Sequence, residues 1–270
     1  MLLGLAAGWP NEARPQLLLL PDSEPPGVFG GGPRKFTVRW RNDSDQIAAA
    51  DIHAQLYQAS SATAASVGQI AMKRLQILPH QTIIESATIE FPLVKAKTRF
   101  LIQWLDATNR VLGLSDVNIY PTNLLEGLRP LTGRKPLGVF DPQNQIKPLL
   151  LAADVEFEDL PKENVLHFAG RLAIIGPFPA GNSDSEWVGK GVADLAHAGV
   201  AVVWIKPEST SDPAPEPAVY PVRFGSGTVT VVRPRVVSNL AEDPRAQLNL
   251  IRSAQLASRP DLLSLSTSQP

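Results

Sequence analysis

The sequence predicts a multidomain chain: a β-sandwich over residues 17–122, then a three-layer α/β domain over residues 135–258. Three observations predict it. Apolar residues recur with period two from Leu17 to about Tyr120. A stretch rich in Pro and Gly follows, from Pro121 to Pro136. After it, continuous apolar runs alternate with segments of helical period, as in domains whose sheet is covered on both faces.

In the first domain Phe36, Val38 and Trp40 alternate with Thr37, Arg39 and Arg41, as a strand with one buried face requires. Asn42-Asp43-Ser44-Asp45 supplies turn chemistry, and its match to a glycosylation sequon is read more simply as that turn. Ile52, Ala54 and Leu56 form the next apolar phase, which places His53 on the solvent side. Ile70–Leu78 and Thr82–Phe91 are two further strands, divided by Pro79 and His80. Phe100, Ile102 and Trp104 alternate with Leu101, Gln103 and Leu105, and Asp106–Asn109 turns into a last strand ending near Tyr120. About seven short strands with turn signals between them are the habit of an immunoglobulin-like or fibronectin-like sandwich, here of the disulfide-free sort. Trp40 and Trp104 read as core aromatics. Gly30-Gly31-Gly32 reads as a turn or bulge, because no Lys-Ser/Thr and helix follow to make a phosphate loop.

The polar, turn-rich stretch Pro121–Pro136 is the expected domain boundary. Beyond it, Leu137–Phe140 is a buried strand delivering Asp141-Pro142 at its carboxyl end, and Gln143–Ala152 is the helix expected to follow. Val155 and Phe157 mark a second strand, and Arg171–Ile175 a third, stopped by Gly176-Pro177. Ser183 and Glu186 form a capping-box pair for a helix with Trp187, Val188, Val192, Leu195 and Ala196 on one face and Gly199 just past its end. Val200–Ile205 is a continuous apolar strand. Pro207–Pro221 is too rich in proline for regular structure. Val222–Phe224 and Thr228–Val232 flank Gly225-Ser226-Gly227 as a hairpin, and Asp243-Pro244 starts a final helix with Leu250, Ile251, Ala254 and Ala257 on one side. Residues 259–270 read as a loose tail.

Composition excludes several functions. The chain holds 25 Lys+Arg against 26 Asp+Glu, with the two signs interspersed, so no basic field draws a phosphate backbone and a nucleic-acid partner is not expected. The absence of cysteine removes disulfides, thiolate metal sites and a Cys nucleophile together. His53, His80, His167 and His197 are scattered, with no i, i+4 pair for a metal. Gly189-Lys190-Gly191 lacks the remaining glycine and hydroxyl residue of a phosphate loop. Neither a metal nor an organic cofactor is expected. Met1–Gly8 reads as the tail of a clipped signal segment or as a loose apolar tail over residues 1–16; the former implies a periplasmic or extracellular setting, the latter leaves a cytoplasmic one open. No stretch has the apolar length for a membrane span.

The run Arg171–Pro177, the helix Asp184–Gly199, the strand Val200–Lys206 and the hairpin Tyr220–Val232 together resemble the class I glutamine amidotransferase-like fold, a flavodoxin-type α/β plan. The resemblance covers the second domain only. In that family the third strand delivers a nucleophile on a Gly-x-Cys/Ser-x-Gly elbow; the matching stretch here is Gly176-Pro177-Phe178-Pro179-Ala180, which holds none. The family's later His-x-Glu pair is also missing from Tyr220–Leu240. The resemblance therefore implies a degenerate, non-catalytic member. A sandwich joined to such a domain is similar to the C-terminal accessory regions of bacterial glycoside-hydrolase-like proteins.

Ligands of open α/β sheets sit at the carboxyl ends of the strands. Those ends here put forward Asp141, Phe178, Lys206 and Glu208 as ligand contacts, with Phe178 an aromatic in a proline-framed loop. Three functions follow from these readings. One is a non-catalytic accessory or interaction module of a secreted bacterial protein, contacting a polysaccharide or another protein domain. A second is a hydrolase of sugars or esters acting through carboxylates such as Asp141 and Glu208. The third is a structural spacer. Glu156, Glu158 and Asp159 read as a charged strand end, and no serine stands in a Gly-x-Ser-x-Gly elbow.

Overall fold

A computed structural model describes residues 17–59, 64–160, 167–179, 185–207, 218–224 and 227–259. The chain divides into two compact units, Met1–Ile119 and Tyr120–Pro270.

The first unit is built of strands β1 (Leu17–Leu20), β2 (Gly27–Phe29), β3 (Gly32–Asn42), β4 (Ala48–Ala59), β5 (Ala64–Ile77), β6 (Thr82–Phe91), β7 (Thr98–Asp106) and β8 (Val111–Tyr120). They form a sheet of order β1-β3-β6 and another of order β2-β8-β7-β4-β5. One core joins the two sheets, because period-two alternation turns every second residue of each inward. Phe36, Val38 and Trp40 of β3 and Ile89 and Phe91 of β6 meet Ile52, Ala54 and Leu56 of β4 and Phe100, Ile102 and Trp104 of β7. Trp40 and Trp104 are fully buried and lie edge to face at 5.9 Å between ring centroids. The Trp104 indole N–H donates to Ser115 Oγ at 2.9 Å.

Three residues are more buried than the sequence reading has them: Leu105 and His53 on outer phases, and Asn42, which continues the inward phase of β3 where a turn is read. Leu105, assigned to the outer phase, keeps that phase opposite His53 of β4 and is nonetheless buried, outside the sandwich core. His53 is only partly exposed, and its Nε2 is buried without a hydrogen-bond partner among the described residues; the adjacent shift in the β4–β5 register, between Asp51 and His53, accompanies it. Asn42 is fully buried at the end of β3. Its Nδ2 donates to the carbonyls of Gln46 (2.7 Å) and Ile77 (3.1 Å), and its Oδ1 accepts from Ser44 N and Oγ. The Asn-Asp-Ser segment is thus a closed turn whose amide is engaged. At the run of three glycines, Gly31 takes a left-handed φ of +82° and donates its N–H to the Phe91 carbonyl, turning the chain into β3.

In the second unit the expected boundary segment is itself structured. Leu124–Leu128 forms a 3₁₀ turn and α1 follows at Arg129–Thr132; Leu125 and Leu128 are buried in the unit's core. Then come β9 (Leu137–Phe140), α2 (Lys147–Ala152), β10 (Phe157–Asp159), β11 (Leu172–Ile175), α3 (Ser185–His197), β12 (Ala201–Ile205), β13 (Val219–Phe224), β14 (Gly227–Val232) and α4 (Pro244–Ser258). The sheet has order β10-β9-β11-β12-β14-β13, parallel except for the edge strand β13.

Continuous apolar strands make sense here because both faces are covered. Leu172 and Ile174 face a core shared with Leu150 of α2 and Leu250, Ala254 and Ala257 of α4. Ala173 and Ile175 face the other core, with Val188, Val192 and Leu195 of α3. Gly199 ends α3 with φ +85°.

Two elements differ from the sequence reading. The helix expected from Gln143 begins only at Lys147, since Asn144 stands at φ +53° in a turn. The segment reaching to Pro221 was expected to lack regular structure, yet β13 starts at Val219 and pairs Pro221 with Thr230. A proline is tolerated there because β13 is an edge strand. The Ser183 cap, the side chain of Trp187, residues 208–217 and the hairpin tip 225–226 lie outside the described residues.

Candidate functional site

The chain runs from β9 out to β10 on one side and then returns to β11 on the other, so the strand order reverses between β9 and β11. The carboxyl ends of these two strands flank the place where open α/β sheets form a crevice. Three of the four residues put forward from the sequence stand on adjacent strands at this edge: Asp141 after β9, Phe178 after β11 and Lys206 after β12. Glu208 lies outside the described residues.

Asp141 is buried, 4% exposed. Its Oδ2 accepts from the backbone N–H groups of Ile146 (2.6 Å) and Lys147 (3.0 Å), while its carbonyl closes the turn by accepting from Asn144 N. The carboxylate thus satisfies two of the donors that a helix start leaves over. Its Oδ1 is buried and has no hydrogen-bond partner among the described residues.

The β11 end is shaped by Gly176. With φ +101° it donates its N–H to the Phe140 carbonyl at 2.8 Å, and the peptide to Pro177 is cis. A side chain at this position would meet the Ile205 carbonyl oxygen at 2.8 Å and the Phe178 ring at 3.0 Å, so the β11 and β12 ends touch through the glycine. The Phe178 ring is half-buried and packs against Phe140, centroids 6.0 Å apart and tilted by 41°. Where the resemblance looks for a nucleophile there is an aromatic plate held by a second aromatic. Lys206 is partly exposed and its N–H donates to the Val232 carbonyl, extending the β12–β14 ladder by one bond.

A second cluster, which the sequence reading passed over, lies at the opposite, amino-terminal edge of the same sheet. Arg129, Thr132, Arg134, Lys135, Asp154, Val155 and Glu156 line a cavity of about 400 Å³. The signal is three cations within seven residues, Arg129, Arg134 and Lys135, in the stretch read as the domain boundary. Of the acidic residues read as a charged strand end, Glu156 joins this cavity, and Asp159 pairs with Lys147 Nζ at 2.6 Å.

No family model matches the chain, and no curated protein does. Similar solved structures include the alkylpurine DNA glycosylase AlkC of Pseudomonas fluorescens (10% identity, TM-score 0.31, covering 40% of this chain and 31% of that one). The sporulation control protein Spo0M of Bacillus subtilis is 12% identical with TM-score 0.30, over 44% of this chain and 57% of its own. A β-glucosidase of Listeria innocua is 13% identical with TM-score 0.28, over 39% of this chain and 16% of its own. The chain thus spans less than two thirds of each, and at these scores the likenesses carry no functional argument. Among the described residues no helix is long and apolar enough to cross a membrane.

Proposed function

We propose that this chain is a non-catalytic binding module, whose α/β unit contacts a polysaccharide or another protein domain through the carboxyl ends of β9, β11 and β12. The observation that carries the reading is the Phe178 ring, half-buried on Phe140 in a loop framed by Pro177 and Pro179. An aromatic plate rigidly backed by a second ring offers contact area at small entropic cost, which is how aromatic anchors serve recognition. Asp141 fits the same reading, since two helix-start N–H groups on its Oδ2 give it a loop-building part at this edge. The β-sandwich would then serve as spacer or second contact face. A periplasmic or extracellular setting belongs to this proposal, to be checked by cell fractionation.

The test is a thermal-shift screen of the whole chain against neutral oligosaccharides, repeated with Phe178→Ala. A ligand at about a hundred times its Kd stabilises by about 2.7 kcal/mol, enough to raise the midpoint by several degrees. Shifts that vanish in Phe178→Ala, with the variant's own midpoint little changed, support the assignment. A shift that survives the substitution removes Phe178 from the contact.

A further inference from the structure

We infer that the cavity at the amino-terminal edge of the second unit's sheet is a binding site for a small acidic sugar, one bearing a phosphate or a carboxylate. The two segments that line it each precede a strand, 129–135 before β9 and 154–156 before β10, and Arg171, just before β11, lies beside Gly133 of the first. These strands are neighbours in the sheet, so residues far apart in sequence converge on one edge.

The charges do not cancel. Arg129 turns its Nη2 to the carbonyls of Ala153 and Asp154 and to the Asp154 carboxylate at 2.9 Å, which balances the charge of that pair. Lys135 donates one N–H to the neutral Ala169 carbonyl at 2.6 Å and keeps its charge and two donors. The Arg134 side chain has no hydrogen bond or ion pair among the described residues, and neither has the Arg171 side chain, whose backbone carbonyl alone accepts, from Ala201 N. The Arg171 side chain lies across Gly133, where an added Cβ would come within 2.9 Å of its Cδ and Nη1. The glycine thus lets a second guanidinium approach the loop that carries Arg134. Among the described residues the cavity thus holds two cations without an acidic partner, Arg134 and Lys135, with Arg171 beside them at Gly133, against one such carboxylate, Glu156, and its volume is in the range of small-ligand sites.

This donor set selects the ligand's chemistry. Guanidinium forks and an ammonium match an oxyanion, and bind phosphate or carboxylate with charge-assisted bonds. Glu156 can only accept, so it repels a bare anion and rewards a ligand that also brings hydroxyl donors. A phosphorylated or carboxylated sugar supplies both. The backbone fits this reading: Gly133 and Arg134 stand consecutively at φ +63° and +68°. A left-handed arginine costs energy that an asparagine or glycine would avoid, and such cost is concentrated at sites that use the side chain.

The experiment is calorimetric titration of the full chain at low salt with glucose 6-phosphate, galacturonate, inorganic phosphate and glucose. Saturable binding of at least one acidic sugar is expected, tighter than inorganic phosphate, with none for glucose; the preferred acidic sugar tells phosphate from carboxylate. Arg134→Asn, which suits the left-handed backbone and so preserves folding, weakens binding by about tenfold or more, as does Arg171→Gln. Glu156→Gln narrows the advantage of the acidic sugar over inorganic phosphate. The inference is overturned if no probe binds, if glucose binds as well as the acidic sugars, if inorganic phosphate binds as tightly as they do, or if Arg134→Asn and Arg171→Gln both leave the affinity unaltered in folded protein.

Discussion

Replacing Asp141 by alanine separates a residue that builds the strand-end loop from one that waits there for a ligand. The substitution removes the acceptor of two backbone N–H groups, Ile146 at 2.6 Å and Lys147 at 3.0 Å, and Ile146 is fully buried. A hydrogen bond to a charged group contributes about 1.5–3 kcal/mol, and a buried donor left unmatched costs about 1–3 kcal/mol. Against this, alanine also removes Oδ1, a buried carboxylate oxygen without a partner among the described residues, and so recovers part of its desolvation. The net loss is set at about 2 kcal/mol, near the top of the range for capping residues. Taking the second unit, Tyr120–Pro270, as the unfolding unit of about 150 residues at roughly 2.1 cal/mol/K each, this lowers its Tm by about 6 °C. Asp141→Asn keeps one oxygen for the N–H groups and loses about half as much. Calorimetry reads the midpoints, and amide hydrogen exchange reads the site: the Ile146 and Lys147 amides exchange faster in Asp141→Ala. A midpoint within about 1 °C of the parent, with those two amides equally protected, would refute the capping argument.

Three further outcomes are expected. Asn42→Ala destabilises the first unit by about 2–3 kcal/mol in urea unfolding, because the Gln46 and Ile77 carbonyls lose their donor; for the same reason the protein made in a glycosylating host carries no glycan on Asn42, which intact-mass measurement checks. Gly176→Ala lowers stability by about 1–3 kcal/mol, since φ +101° and the Ile205 carbonyl at 2.8 Å both oppose a Cβ; a variant as stable as the parent would contradict the close β11–β12 approach. Asp106 is held at a pKa of about 2, chiefly by the Thr108 hydroxyl, with the Arg110 and Thr108 backbone N–H groups and the Arg110 charge adding to it against desolvation. A depressed carboxylate stabilises the fold above its unfolded pKa of about 4 and ceases to do so as pH falls toward about 2. The Tm gap between the parent and Asp106→Asn is therefore constant at neutral pH and closes below pH of about 4; a gap that widens on acidification would reverse the assignment.

What the sequence determined by itself was local and periodic. The inward phase Phe36, Val38, Trp40 and the phase Ile52, Ala54, Leu56 were legible because side chains in a half-buried strand alternate by geometry alone. Asp243-Pro244 announced α4 because a capping carboxylate and a proline at N1 are a chemical start signal, and Asp243 Oδ1 does accept from Arg245 N at 2.8 Å. The tertiary structure decided whatever depended on a partner distant in the chain. Leu105 is buried although it stands on the outer phase of β7, and Pro221 entered a strand because β13 lies at the sheet edge. Asp141 became a cap because α2 starts late, after the turn at Asn144, and no period in the sequence carries that information. Arg129, Arg134 and Lys135 looked like linker charges until Leu125 and Leu128 docked in the core, fixing their segment beside Asp154, Glu156 and Arg171. Periodicity records which way one chain segment faces; a site is a convergence of several segments, and only the packed core brings them to the same edge.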